Sequence, residues 1–310
     1  MGRKDKRKSK HSKGRWWKIL LLIFGVVLIT AAGLSLYLLN DVRSTVNNDL
    51  HENIESIDTA VTKKKVKNEE PVNILLLGVD ERENDRGRSD TMIVLTLDPV
   101  NEKMQMVSIP RDTEAEIIGD GRVTRMNHAY AYGGSNMVVD TVENFLDIEV
   151  DYFTRVNMKG LSQLVDAVNG ITVQNTRSFQ YDGYQFPEGQ LELSGEEALA
   201  YVRMRKEDPQ GDMGRNERQR QVIQGVINKG ASLDMVNQMG NVMEVLGENV
   251  STNMDFQDMR QLATKYNGAR KEAETYQMSG SSKTSSGMYL IEMSEEEIQK
   301  THNMIENFGL

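Results

Sequence analysis

Residues 19–39 read ILLLIFGVVLITAAGLSLYLL, an apolar run of 21 residues whose one ionisable side chain, Tyr37, is neutral at pH 7. At about 1.5 Å per helical residue such a run spans the roughly 30 Å hydrocarbon layer of a bilayer. Trp16 and Trp17 stand at its start, where amphipathic rings favour the headgroup layer. Ahead of it, residues 1–18 hold nine Lys or Arg and one acid, Asp5, for a net +8. Basic flanks stay on the cytoplasmic side. The expectation is a cytoplasmic basic tail over 1–18, a transmembrane signal-anchor helix over 19–39, and an extracytoplasmic body from residue 40. That makes a single-pass type II protein of the cell membrane. The competing reading is a cleaved leader, for which Ala31, Ala32 and Gly33 offer small residues, but the run exceeds a usual leader core.

Charge and composition narrow the chemistry of the body. The whole chain carries −9, so with +8 in the tail the rest carries −17. A nucleic-acid binder with a basic body is excluded on that balance, and no nucleic-acid partner is expected. The chain has no cysteine, which removes disulfides, thiol catalysis and cysteine zinc sites. Four histidines, at 11, 51, 128 and 302, leave little material for a multi-histidine metal site.

Residues 40–71 predict a solvated helical stalk, with Val42, Val46, Leu50, Ile54, Ile57 and Val61 recurring every three or four residues. The body begins at Val72. Residues 72–77 are a buried-strand signal ending at Gly78, and 91–97 and 103–109 alternate as a hairpin across a turn at 98–103. Helices are predicted over 135–146, 161–168 (closed by Gly170), from the Ser194/Glu197 capping box, and over 214–229, with strands at 152–157 and 171–173. This mixture predicts an α/β fold, with a mixed central β-sheet flanked by helices on both faces. Further on, 235–246 carries an apolar helix stripe, and Thr252 is placed to cap a helix through Tyr266. Residues 279–287 read as a flexible loop, 288–293 as a strand, and Ser294 with Glu297 caps a last helix. The catalytic domain is set at 72–231, with 232–310 an extension packed on the same domain.

Four polar clusters lie at element ends: Gly78–Val79–Asp80; the stretch 86–91 with Arg88 and Asp90; Pro110–Arg111–Asp112–Thr113; and 198–221, with Arg203, Arg205, Arg215 and Arg218 among its cations. Stepping back from Val222 and Ile223 by helical spacing puts Arg215, Arg218 and Gln219 on the inward stripe, with Asn216 and Arg220 pointing to solvent. An inward arginine needs an anionic partner, because an unpaired buried charge is expensive. Arg203 and Arg205 share one side if their segment is extended, a planar fork suited to phosphate oxygens. Asp80 and Asp90 offer hard oxygen ligands, and Mg2+ is commonly held by one or two carboxylates plus substrate phosphates. A structural ion-pair reading competes at each single cluster. His128 reads as structural. Neither a GxxxxGK[ST] loop nor a GxSxG elbow occurs.

Six segments resemble the LytR–CpsA–Psr family in order and wording: NILLLGVD at 73–80, GRSDTMIVLTLD at 87–98, VSIPRDT at 107–113, NHAYAYGG at 127–134, GEEALAYVRMR at 195–205 and GDMGRNERQRQVI at 211–223. They are most similar to the branch that handles wall teichoic acid in Gram-positive rods. The resemblance implies a membrane-anchored phosphotransferase. Such an enzyme moves an anionic glycopolymer from a polyprenyl-diphosphate carrier to peptidoglycan through a phosphodiester at a muramic acid C6 hydroxyl. It implies Mg2+ on Asp80 and Asp90, and a diphosphate held by Arg88, Arg111, Arg203, Arg205, Arg215 and Arg218, with Gln219 orienting it. It marks Asp112 and Asp212, beside Arg111, as catalytic candidates, without deciding which acid takes the hydroxyl proton. The carrier tail requires an apolar cleft, for which Val138, Val142, Leu161, Val165, Val222 and Val226 are the candidates. Three other readings compete: a hydrolase of polyprenyl diphosphates, a membrane-anchored regulator, and a non-catalytic lipid-binding module.

Overall fold

A computed structural model describes residues 50–81, 87–205, 208–230, 249–285 and 287–309. The basic tail, the apolar run 19–39, the first part of the stalk and the stripe 235–246 lie outside the described residues. Among those described, no helix is long and apolar enough to cross a membrane.

The centre is a six-stranded sheet. Strand β1 (Val72–Val79) pairs antiparallel with β2 (Ser89–Asp98), and β2 pairs antiparallel with β3 (Lys103–Ser108). The β2–β3 turn is held by Asp98, whose Oδ1 accepts from the Val100 and Asn101 amides. On the other side of β1, β6 (Tyr152–Asn157) runs parallel to it. The edges come from the C-terminal region. Strand β11 (Val250–Thr252) closes one side on β6, and β12 (Glu272–Gln277) runs parallel to β3 on the other. The order β11-β6-β1-β2-β3-β12 is a mixed sheet. Short pairs lie outside it: β4 (Glu114–Glu116) with β5 (Val123–Arg125), β7 (Ile171–Asn175) with β10 (Gly189–Leu193), β8 (Phe179–Tyr181) with β9 (Tyr184–Phe186), and β13 (Ser281–Ser285) with β14 (Met288–Glu292).

The pleat sends alternate residues of β1 to opposite faces. Leu75, Leu77 and Val79 pack on helix α2 (His128–Leu146) through Val138, Val139 and Val142. Helix α7 (Glu295–Glu306) joins this layer through Ile305. Ile74 and Leu76 face the other way. There, in chain order, α3 (Met158–Ala167), α4 (Gly195–Arg203), α5 (Asp212–Gly230) and α6 (Phe256–Lys265) provide the covering layer. Both faces are therefore covered by helices. The Ser194/Glu197 capping box starts α4, as its sequence pattern predicts.

Several expectations change. The described part of the stalk does not stand off the body. Leu50, Ile54 and Ile57 are buried against it, the Glu52 amide donates to the Thr252 carbonyl, and past Leu50 the helical part of residues 51–71 is α1 (Thr59–Asn68). Its apolar stripe is a packing face. Helix α2 starts at His128 rather than 135, crossing a non-helical Gly134 at φ 71°. The cap of α6 is Asp255, in a reciprocal box with Asp258, because Thr252 is spent in β11. The 279–287 loop contains β13, whose Ser, Thr and Lys side chains suit an edge hairpin.

Candidate active site

The ends of β1, β2 and β3 meet at one rim. Gly78 lies opposite Thr91 in the β1–β2 ladder. A Cβ on Gly78 would sit 2.9 Å from that of Thr91, so glycine permits the close approach. Asp80 follows β1 by one residue and Asp90 sits near the start of β2. Together with Arg88, Arg111, Arg125 and Asn127 they line an open polar cavity. Arg111, from the loop after β3, donates from Nη1 to Asp90 Oδ1 at 2.8 Å, and its Nε lies 3.5 Å from Asp112 Oδ2. Arg125 Nη1 reaches the other oxygen, Asp112 Oδ1, at 3.3 Å. Burial works against the Arg111 charge, but Asp90, then Asp112 and Asp212, outweigh it and hold its pKa above the ordinary arginine value.

Donors at this rim are left over. Among the described residues the buried Nε atoms of Arg111, Arg125 and Arg215 find no hydrogen-bond partner, nor does Asn127 Oδ1. Buried polar groups without partners cost free energy, so the unspent guanidinium N–H groups of Arg111 and Arg125 at this cavity, and of Arg215 at a neighbouring cleft, are equipment for an anion. Oxygen donors also line this cavity. No cluster of three or more His, Cys, Asp or Glu exists among the described residues. Asp80, Asp90 and the orphaned Asn127 oxygen are the groups on this cavity that could hold a metal ion, together with substrate phosphate and water.

Below the rim lies an apolar cleft of about 220 Å³ between the sheet and α5, lined by Leu76, Leu95, Leu161, Val222, Ile223 and Val226, with Gly78, Thr91 and Gln219 also on its wall. Packed cores leave few voids larger than a water molecule, so this space is a built feature. A second cleft, of mixed polar and apolar lining, opens on the far side of Arg111. It is lined by Asp112, Asp212, Arg215 and Asn216, by Tyr289 and Ile291 of β14, and by 277–280 ahead of β13. Asp212 Oδ1 lies 2.9 Å from Arg205 Nε and 3.4 Å from Arg215 Nη2. Burial lowers the Arg215 pKa, and Asp212 offsets part of that.

The residues singled out from sequence thus separate into groups. Asp80, Asp90, Arg88 and Arg111 share the cavity; Arg111, Asp112, Asp212 and Arg215 share the second cleft; Gln219, Leu161, Val222 and Val226 line the apolar cleft. Others fall elsewhere. Val138 and Val142, on α2, are buried against the opposite face of the sheet, and Val165, on α3, is fully buried in the cluster it shares with α4, so none of the three lines the cleft. Arg218 turns away from the rim and donates to the Tyr201 and Met204 carbonyls and to Asp208. Arg203 ends α4 and both it and Arg205 are exposed, so the two do not form one extended fork. Asn216 and Arg220 are buried rather than solvated. Asn216 donates to Gln277, and Arg220 donates to Ser108 Oγ at 2.9 Å. Helical periodicity missed this because α5 is wedged between the sheet edge and the β7 layer, so more than one stripe is covered. Arg125 and Asn127 were missed, although Arg125 sits at a strand end like the other rim arginines. His128 neighbours the rim. Burial, then the Arg125 and Arg88 charges, lower its pKa.

An arginine-rich, carboxylate-bearing rim beside an apolar cleft in a mixed α/β sheet defines a protein whose site offers both an anion-binding and an apolar surface. The chain belongs to the LytR_cpsA_psr family, whose model matches residues 36–307. It is 44% identical over 293 residues to the polyisoprenyl-teichoic acid--peptidoglycan teichoic acid transferase TagU of Bacillus subtilis (strain 168), covering 94% of each chain. It is similar to the crystal structure of B. subtilis TagU, with a TM-score of 0.63 and 43% identity over 76% of this chain and 96% of that one. A structure of TagT bound to LI-WTA gives a TM-score of 0.66 at 29% identity, over 84% of this chain and 95% of that one.

Proposed function

We propose that the chain is a membrane-anchored phosphotransferase that moves an anionic glycopolymer, of the wall teichoic acid class, from a polyprenyl-diphosphate carrier to peptidoglycan. The observation that carries this reading is the adjacency of two unlike spaces along the same strand ends. Gly78 and Thr91 line the apolar cleft, while Asp80 and Asp90, two residues and one residue away along the same strand ends, line the polar cavity. A carrier lipid lying along the cleft presents its diphosphate to that cavity. Kinship with transferases of this class supports the same conclusion.

In this reading Arg88, Arg111 and Arg125 hold the diphosphate oxygens and stabilise charge that builds up during transfer. A muramic acid hydroxyl attacks the phosphorus that bears the glycan. The bond from that phosphorus to the bridging oxygen breaks, and polyprenyl monophosphate leaves. The hydroxyl proton passes to a carboxylate, for which Asp112 and Asp212 are placed on the second cleft. Asp80 and Asp90 are the residues that would hold Mg2+, which would neutralise diphosphate charge. Residues 19–39 anchor the chain in the cell membrane with the catalytic body outside. Mass spectrometry of lipids that co-purify with the full chain tests the ligand class. A polyprenyl phosphate or diphosphate is expected; bound diacyl lipid alone would overturn the reading.

A further inference from the structure

One wall of the second cleft, from 277 to 291, is built by a part of the chain outside the six family-like segments, and it faces 110–112 and 212–216, which lie inside them. The β13–β14 hairpin docks on the rim by its backbone. The Ile291 amide donates to the Asp112 carbonyl at 2.9 Å, and Thr113 and Ile291 form a parallel bridge. The floor is held from beneath by Gln277, whose Oε1 accepts from Asn216 Nδ2 at 3.0 Å and from Arg220 Nη1 at 3.2 Å. The cleft encloses about 300 Å³, within the range of small-ligand sites. It shares Arg111 with the diphosphate cavity and shares no lining residue with the apolar cleft.

Its lining has a mixed character. Of the six exposed large apolar side chains among the described residues, two, Tyr289 and Met213, stand at this one cleft, at 51% and 60% exposure. Beside them lie the amides of Asn216 and Gln277 and the carboxylates of Asp112 and Asp212. A pyranose has an apolar C–H face and a rim of hydroxyl and acetamide groups, and it matches an aromatic platform flanked by amides and carboxylates. An in-line displacement also needs the nucleophile opposite the leaving group. A lipid phosphate leaving along the apolar cleft requires the acceptor to come from a different opening that still reaches Arg111, and the second cleft is such an opening.

We propose that this cleft, between the β13–β14 hairpin and the start of α5, is the subsite for the acceptor glycan strand, with Tyr289 and Met213 as its apolar platform. The proposal rests on the transferase reading. It assigns to the C-terminal region selection of the acceptor rather than of the donor.

The test titrates the full chain in detergent with a soluble oligosaccharide of alternating N-acetylglucosamine and N-acetylmuramic acid, followed by calorimetry. Tyr289→Ala should weaken binding by about tenfold, and Tyr289→Phe, which keeps the ring, should retain it. In transfer assays Tyr289→Ala should raise the acceptor KM and leave the donor KM unchanged. Equal binding by wild type and Tyr289→Ala, binding by neither, or an equal rise in donor KM would overturn the subsite. Wild-type protein that binds the oligosaccharide at Tyr289 yet transfers nothing would instead overturn the transferase reading and leave the glycan site standing.

Discussion

Arg111 Nη1 donates to Asp90 Oδ1 at 2.8 Å, tying the loop after β3 to the start of β2 at the one place where the polar cavity and the second cleft meet. Both partners reach solvent, with side-chain exposures of 21% and 27%. Asp112, the buried carboxylate that Arg111 also approaches, keeps its ion pair with Arg125 at 3.3 Å, so removing the arginine leaves no buried charge unpaired. Arg111→Ala is expected to cut transfer by about a hundredfold or more while the thermal midpoint moves by only a few degrees. Full transfer activity in this variant would remove Arg111 from the mechanism.

Arg218 has the opposite character. Its guanidinium is spent on two backbone carbonyls and Asp208, with a side-chain exposure of 8%. Arg218→Ala should cost about 2–4 kcal/mol in urea unfolding, because it leaves buried acceptors and a carboxylate unpaired. Arg205→Ala, at 48% side-chain exposure, should cost less than about 1 kcal/mol. Equal losses would contradict the division between a buried structural arginine and an exposed one.

The two apolar layers make separable predictions. Val226 lines the cleft, so Val226→Trp should fill it and lower the amount of polyprenyl lipid that co-purifies. Val142 is fully buried on the other face of the sheet. Val142→Ala should cost roughly 1–3 kcal/mol of stability and leave lipid retention per folded molecule unchanged. Lipid loss in Val142→Ala at unchanged stability would contradict the placement.

His128 gives a pH test. Its folded-state pKa is lowered by burial and then by the Arg125 and Arg88 charges, so protonation favours the unfolded chain. The associated stability is complete above the unfolded value, about 6.5, and is lost as pH falls through the lower folded value. His128→Gln should flatten the fall in unfolding free energy between about pH 7 and pH 5. An unchanged slope would show that His128 titrates normally.

Much of the sheet and part of the site were legible from sequence, for identifiable reasons. Strands β1, β2 and β3 carry long apolar or alternating runs with Asp80, Asp90 and Arg111 at their ends, and a polar residue ending a buried strand has few places to go. Helical spacing correctly put Arg215, Arg218 and Gln219 on a buried side of α5 but could not say what lies across from each. One faces the second cleft, one the Asp208 loop, and one the apolar cleft. Val138 and Val142 misled because an amphipathic helix reads the same on either face of a sheet. Strands β4, β5, β8 and β9, at three residues each, are too short to show a period. Strand β13 was hidden by Ser, Thr and Lys, which an edge hairpin tolerates and a loop also favours.

The central claim is that one phosphorus passes from lipid carrier to glycan acceptor at the Arg111 rim. The most direct measurement incubates the full chain with polyprenyl-diphosphate-linked glycopolymer, peptidoglycan strands and Mg2+, and identifies the products by mass spectrometry. The account predicts glycopolymer joined to muramic acid through a phosphodiester, with polyprenyl monophosphate released in equal amount. Free glycopolymer phosphate with unmodified peptidoglycan, or intact carrier retained without turnover, would contradict it.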